Sequence, residues 1–141
     1  MIQLKKSPVA VTIQLLSKKW TVEIIFKLMN GRMRYSDLLE IDDSLTSKVL
    51  ADRLKSLFNN GIVDKIVTNM MPLKLKYQLT EKGRMLQKVF FECALYSSLF
   101  FPNEVFYKQS VDFEELIAEI TNMFHIEDIN LDKLKKTYFD K

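Results

Sequence analysis

Few residues in this sequence have types and spacings suited to covalent chemistry. The single histidine, His125, closes an apolar helical pattern, with no cysteine or second histidine nearby. It is therefore a poor metal ligand and a poor member of a catalytic triad. Asp42 and Asp43 are adjacent carboxylates, but neighbours in a turn point apart, and a turn accounts for them. Gly31, Gly61 and Gly83 stand alone as helix punctuation and make no phosphate-cradling loop. Cys93, the only cysteine, lies on an apolar helical seam. Such a residue is ordinarily an inert small hydrophobe, with an intersubunit redox disulfide as the other reading. One cysteine also leaves no internal disulfide framework and no cysteine-based zinc knuckle. No enzyme, metal or cofactor is expected.

The stretch Leu45–Gly61 carries chemistry of a different kind, that of surface recognition. Thr46 is a good N-cap residue, because its hydroxyl can accept from an orphaned backbone N–H of the first turn. Leu50, Leu54 and Leu57 recur at helical spacing and share one face. Asn59, Asn60 and Gly61 tolerate a left-handed stop. The opposite edge holds Ser47, Lys48, Ala51, Asp52, Lys55 and Ser56, all short or polar. An edge of that kind is either an ordinary solvated face or one that lies in a DNA groove while its back sits on a core. Lys48 stands in the first turn, where a cation opposes the helix dipole at a cost of roughly 0.3–1 kcal/mol. A local cost without local benefit marks a position under functional constraint.

The elements around this helix follow from the same rules. Ser7-Pro8 reads as an N-cap and a first helical proline, opening a helix with Val9, Ile13, Leu16 and Trp20 along one seam. Thr21 is expected to cap a second helix that buries Ile24, Ile25 and Leu28 and stops at Asn30-Gly31. Arg32–Tyr35 alternates like a short strand with Arg32 and Arg34 facing out, and Ser36 is expected to cap a brief helix through Ile41. A short helix, a turn at Asp42–Ser44 and a longer polar-faced helix make the helix-turn-helix plan. After Gly61 the pattern turns strand-like at Ile62–Val67 and Leu75–Leu79, with Thr68–Lys74 between them as a loop. That is a β-hairpin wing carrying Lys65, Lys74 and Lys76, which serve either as edge lysines against aggregation or as DNA contacts.

Thr80 opens a helix expected to run to Phe101, with Leu86, Phe90, Cys93, Ser97 and Phe100 as its stripe. This helix is too apolar to stand alone, so it either packs across its own domain or pairs with a second subunit. Helical spacing returns at Phe113–Phe124 and, for a last short helix, at Leu131–Tyr138. Length and composition allow one domain with a real core: 141 residues, 48% hydrophobic, only 3 Gly and 3 Pro. Residues 1–80 hold 13 Lys or Arg against 7 Asp or Glu, and residues 81–141 hold 8 against 11. The basic front suggests an anionic partner. No apolar run reaches a membrane span and no leader pattern is present, so a cytoplasmic protein is expected.

Several of these pieces, in this order, resemble the HxlR-type winged helix-turn-helix regulators. Ser7-Pro8-Val9 stands where that family opens with Cys-Pro, and Ser17-Lys18-Lys19-Trp20 where it has Gly-Gly-Lys-Trp. Arg34-Tyr35-Ser36-Asp37-Leu38 answers Arg-Phe-x-Glu-Leu, and Leu45-Thr46 with the three leucines matches the recognition helix. Gly61-Ile62-Val63 matches Gly-Leu-Val, and Lys76-Tyr77-Gln78-Leu79-Thr80 with Gly83 matches Glu-Tyr-x-Leu-Thr-x-x-Gly. The departures are Ser7 in place of the sensing cysteine, Lys76 in place of glutamate, and the acidic, aromatic stretch from about Asn103.

The expected fold is therefore mainly α with a small β-hairpin wing, a winged helix-turn-helix over residues 1–101 followed by a helical extension over 102–141. The resemblance implies a homodimeric DNA-binding transcriptional regulator. The helix over 46–59 would enter the major groove with Thr46, Ser47, Lys48, Ala51, Asp52 and Lys55. Arg32, Arg34, Ser36, Lys74 and Lys76 would hold the flanking backbone, with the wing tip at 68–74. Val9, Ile13, Leu86, Phe90, Cys93, Ser97 and Phe100 would join two subunits, setting half-sites about 34–36 Å apart. Two other readings stay open. One is an interaction module that works through Phe106, Tyr107 and Phe113 without DNA. The other is a ligand- or redox-responsive sensor that works through the rear half.

Overall fold

Ser7 and Pro8 start the first helix as their chemistry requires. The Ser7 hydroxyl accepts from the Ala10 N–H at 3.3 Å, and α1 runs over Pro8–Leu16. The computed structural model describes residues 1–107, 112–126 and 130–138. It divides the chain into two units, Met1–Arg84 and Met85–Lys141. Stretches 108–111, 127–129 and 139–141 of the expected extension lie outside the described residues.

In the first unit, α2 covers Thr21–Leu28 and buries Ile24, Ile25 and Leu28. Thr21 does not cap it. Trp20 takes the N-cap position in a left-handed conformation (φ 75°), and its carbonyl accepts from the Ile24 N–H, which leaves Thr21 buried inside the first turn. The expected strand at Arg32–Tyr35 shrinks to a single bridge between Met33 and Tyr77. The reason is that α3 already begins at Tyr35 and spans Tyr35–Leu39. Arg34, not Ser36, is the N-cap, and the Asp37 carboxylate reaches back to accept its N–H at 2.9 Å. Asp42 then closes the turn by accepting from both the backbone and the hydroxyl of Ser44.

Helix α4 spans Ser47–Asn59 with Thr46 as its cap, the Thr46 hydroxyl accepting from the Val49 N–H. Leu50, Leu54 and Leu57 point into the core beside Leu38, Leu45, Ile62, Val63 and Leu79. The helix ends at Gly61, whose φ of 70° is the left-handed stop that a side chain would strain.

Strands β1 (Val63–Met70) and β2 (Leu73–Leu79) form an antiparallel hairpin. They are longer than the sequence pattern suggests, because most of the expected loop at 68–74 is paired. Thr68 is bulged between Val67 and Asn69, and the turn is confined to Met71-Pro72, joined by a cis peptide bond. The Asn69 side chain holds both the N–H and the carbonyl of Met71, which closes the tip tightly. A short helix α5 (Glu81–Arg84) ends this unit. Thr80 caps it by accepting from the Gly83 N–H, and its hydroxyl sits 2.6 Å from the Gly61 carbonyl oxygen.

The second unit holds α6 (Leu86–Phe100), α7 (Pro102–Val105), α8 (Phe113–Met123) and α9 (Leu131–Tyr138). The expected single helix over 80–101 is thus two, interrupted at Met85; its first turn is fixed by the bonds of Thr80 and by Gly83 against Ile62. The inward face of α6 is also rotated from the expected stripe, since the buried side chains are Phe90, Phe91, Leu95 and Ser98. They share a core with Leu116, Ile117, Ile120 and Phe124, whose ring meets Phe91 edge-on at 6.4 Å. Asp112 caps α8 by accepting from the N–H groups of Glu114 and Glu115. Among the described residues no helix is long and apolar enough to cross a membrane.

Two substitutions test this packing. Leu54→Ala leaves a void under α4 and should cost about 2–5 kcal/mol, read as a lowered denaturation midpoint. Gly83→Ala would place a Cβ 2.3 Å from the Ile62 carbonyl oxygen. It should cost on the order of 1–3 kcal/mol, although alanine is the better helix former.

Candidate nucleic-acid interface

The polar edge of α4 is the surface that the leucine face leaves outside. Ser47, Lys48, Ala51, Asp52 and Lys55 are all exposed, as is Thr46 at the cap, while Ser56 and Arg53 are half-buried. Among the described residues no hydrogen bond or ion pair engages Lys48 or Lys55, and both side chains are exposed. Arg53 has a different job: its Nε donates to the Lys19 carbonyl at 2.8 Å and ties the middle of α4 to the α1–α2 turn. There the Lys19 ammonium lies 5.1 Å over the Trp20 ring.

The start of α4 is held by Tyr35. Its hydroxyl donates to the Ser47 carbonyl at 2.6 Å and lies 2.8 Å from the Ser47 hydroxyl. Thus the first residue of α3 is pinned to the first residue of α4. The Tyr35 ring also stands 6.5 Å from that of Tyr77 on β2, whose phenol is pushed up by burial and by Tyr35.

A groove of about 890 Å³ opens between the start of α3 and the hairpin, lined among others by Arg34, Tyr35, Ser36, Leu73, Lys74 and Lys76. Arg34 forms a forked ion pair with Asp37, its Nε and terminal nitrogen donating at 3.2 and 2.9 Å. Those bonds hold the Asp37 carboxyl below its usual range and raise the Arg34 guanidinium. Asp37 is therefore ionised and matched at neutral pH, and among the described residues Lys74 and Lys76 line the groove without an ion pair of their own. Arg32 is exposed beside them, its Nε donating to Gln78 at 3.0 Å. Of the predicted contact residues, the fold gathers Arg34, Ser36, Lys74 and Lys76 around one groove, and Tyr35 connects that groove to Ser47.

Tyr35 and Arg53 were not legible as site residues. Nothing in their local spacing marks them, and only the fold reveals their hydrogen bonds.

The predicted dimer residues fall in both units and are of three kinds. Val9 (71% exposed), Ile13, Cys93 and Phe100 present apolar surface to solvent, and Leu86 and Ser97 are half-buried. Phe90, only 6% exposed, belongs to the second unit's own core. Among the described residues no group of three or more His, Cys, Asp or Glu is placed to hold a metal ion.

Comparison with known proteins agrees with this geometry. Residues 15–105 match the HxlR-like helix-turn-helix family. The HTH-type transcriptional regulator YodB of Bacillus subtilis is 42% identical over 86 residues, covering 61% of this chain and 77% of that protein. YvaP of the same organism, an uncharacterised HTH-type transcriptional regulator, is 34% identical over 86 residues, covering 61% and 80%. The structure of the reduced form of YodB superposes with a TM-score of 0.62 at 38% identity, over 67% of this chain and 94% of that one. Family match, relatives and fold converge: the chain is a winged helix and belongs to the HxlR-like helix-turn-helix family of transcriptional regulators.

Proposed function

We propose that the chain is a cytoplasmic, homodimeric, sequence-specific DNA-binding regulator that reads the major groove with α4. The observation that carries this reading is the exposed polar edge of α4, continuous through Tyr35 and Ser47 with the cation-lined groove of the hairpin. Ser47, Lys48, Ala51, Asp52 and Lys55 face base edges and nearby phosphates, while Arg32, Arg34, Ser36, Lys74 and Lys76 hold the flanking backbone. Short side chains at Ser47 and Ala51 let the helix backbone approach the groove floor. The charged residues around them set register. The exposed apolar side chains of α1 and α6 join the two subunits, residues 1–101 being the binding and pairing part and 102–141 an extension. No catalytic role is assigned to any residue.

Fluorescence anisotropy with a random-sequence duplex at several salt concentrations tests the reading. Binding at about 10⁻⁴–10⁻⁶ M near physiological salt, weakening steeply as salt rises, is expected from counterion release. Lys48→Ala should leave the melting temperature nearly unchanged and reduce the salt slope by about one phosphate contact. A collapse of thermal stability with retained DNA affinity would instead mean that this edge of α4 is structural.

A second reading, an oxidant-responsive regulator, is favoured by the exposure of Cys93, the chain's one cysteine. Relatives include YodB, whose structures were solved in reduced and diamide-treated forms. This reading predicts that diamide changes DNA affinity and that Cys93→Ser abolishes the change. Unchanged affinity in the oxidised protein would remove it.

A further inference from the structure

The recognition edge of α4 leaves one feature of the hairpin unexplained. A wing that only gripped phosphates would carry polar and cationic residues to its tip. Here the tip is apolar: Met70, Met71 and Leu73 are 72%, 90% and 62% exposed, with Pro72 in the turn between them. Val67 and Leu75 further down the strands are exposed as well. Such a contiguous exposed patch marks a contact surface. Surface hairpins without a partner are instead blunted by charge at the edge.

Two further observations say what that surface meets. First, the cations stand behind the tip and not on it. Lys74 follows Leu73 directly, and Lys74, Lys76 and Arg34 line the groove at the hairpin's flank. An apolar point with cations set back from it is complementary to a polyanion whose interior is apolar. Duplex DNA has that chemistry, with phosphates along the rim and stacked bases inside. Second, the tip is braced. Asn69 holds Met71 through both its N–H and its carbonyl, Thr68 bonds the Lys74 carbonyl at 3.3 Å, and the bulge at Thr68 twists the hairpin locally. A braced tip loses little conformational entropy on insertion.

We propose that Met70–Leu73 is a wedge that enters the minor groove and partly unstacks a base step, so that the protein bends the duplex it binds. This rests on the DNA-binding reading of α4 and adds an activity to it. Methionine, proline and leucine are among the side chains that open base steps in this way, kinking the duplex by roughly 20–90° toward the major groove. The unstacked step is then a pyrimidine–purine step, TA or CA/TG, because these open most easily. Sequence preference therefore extends to a position that no side chain reads by hydrogen bonding. The two apolar thioethers follow the groove's shape by rotamer change, which suits a contact made by fit.

The test uses the full chain and a duplex that the wild-type protein itself recovers from a random-sequence pool. Donor and acceptor dyes at the duplex ends report bending, and 2-aminopurine next to the wedged step reports unstacking. Wild-type protein should raise energy transfer and brighten the 2-aminopurine several-fold. The double variant Met70→Thr with Met71→Ser, both positions being exposed, should keep its fold and still bind. It should leave the duplex nearly straight and the 2-aminopurine dark, and it should recover pools without the TA or CA/TG preference. Lys48→Ala serves as the control, weakening binding while the residual complex stays bent. Recovery of a duplex that wild-type protein leaves straight overturns the wedge alone, as does equal bending by the double variant. Failure to retain any duplex at low salt overturns the DNA-binding reading, and the wedge with it.

Discussion

The hydrogen bond from Tyr35 to Ser47 is the constraint on which the proposed recognition surface depends. Leucine packing fixes how deeply α4 is set in its core, but apolar contact is non-directional and leaves a helix free to rotate by a few degrees. The 2.6 Å bond to the Ser47 carbonyl removes that freedom at the end of α4 that carries Lys48. The Ser47 carbonyl lies in the first turn, where carbonyls serve the helix ladder, and it is the second lone pair of that oxygen that takes the phenol. Because Tyr35 is the first residue of α3, the same bond places the start of α3, with Arg34 and Ser36, beside the hairpin. One phenol thus sets the relation between the exposed edge of α4 and the groove beside the hairpin, the two parts of the proposed interface.

Electrostatics on this surface are arranged by subtraction. Asp37 is needed to hold the N-cap of α3, yet a free carboxylate in a groove proposed to face phosphates would repel DNA. The forked pair with Arg34 resolves the conflict, and both partners stay ionised, as the lowered carboxyl and raised guanidinium indicate. Exposed pairs of this kind add little to stability. Its value here is local neutrality, which leaves Lys74 and Lys76 to set the sign of the groove. Asp42 is treated similarly, its carboxyl lowered by the two bonds from Ser44 that make the turn.

Much of this was legible in the residues themselves. Thr46, the three leucines and Gly61 delimit α4 without reference to anything distant, because capping, periodicity and a left-handed stop are local effects. The errors fell where a distant partner decides. Ser36 has the better capping chemistry, but Asp37 reaching back to Arg34 moves the start of α3 forward. Thr21 lost the cap to Trp20, whose left-handed turn no propensity suggests. The expected loop at 68–74 became strand because pairing with β2, and Asn69 folding over the tip, override the turn character of Asn and Pro. Which face of α6 turns inward is a related case. That helix is apolar on several sides, and only the position of α8 decides that Phe91 and Leu95 face inward while Tyr96 and Phe100 do not.

The same distinction explains why the hairpin tip holds more information than the body of the wing. Lysines along a strand have two sufficient explanations, solubility and phosphate contact, so their presence decides little. Exposed methionine and leucine at the end of a braced hairpin have no such general excuse, since water exposure of that area is unfavourable and the fold gains no burial from it. An exposed cluster of this kind is the mark of a contact surface. In this chain the tip's immediate neighbours are the cations of the groove, and that pairing is what the proposed wedge matches to a partner with an anionic rim and an apolar interior.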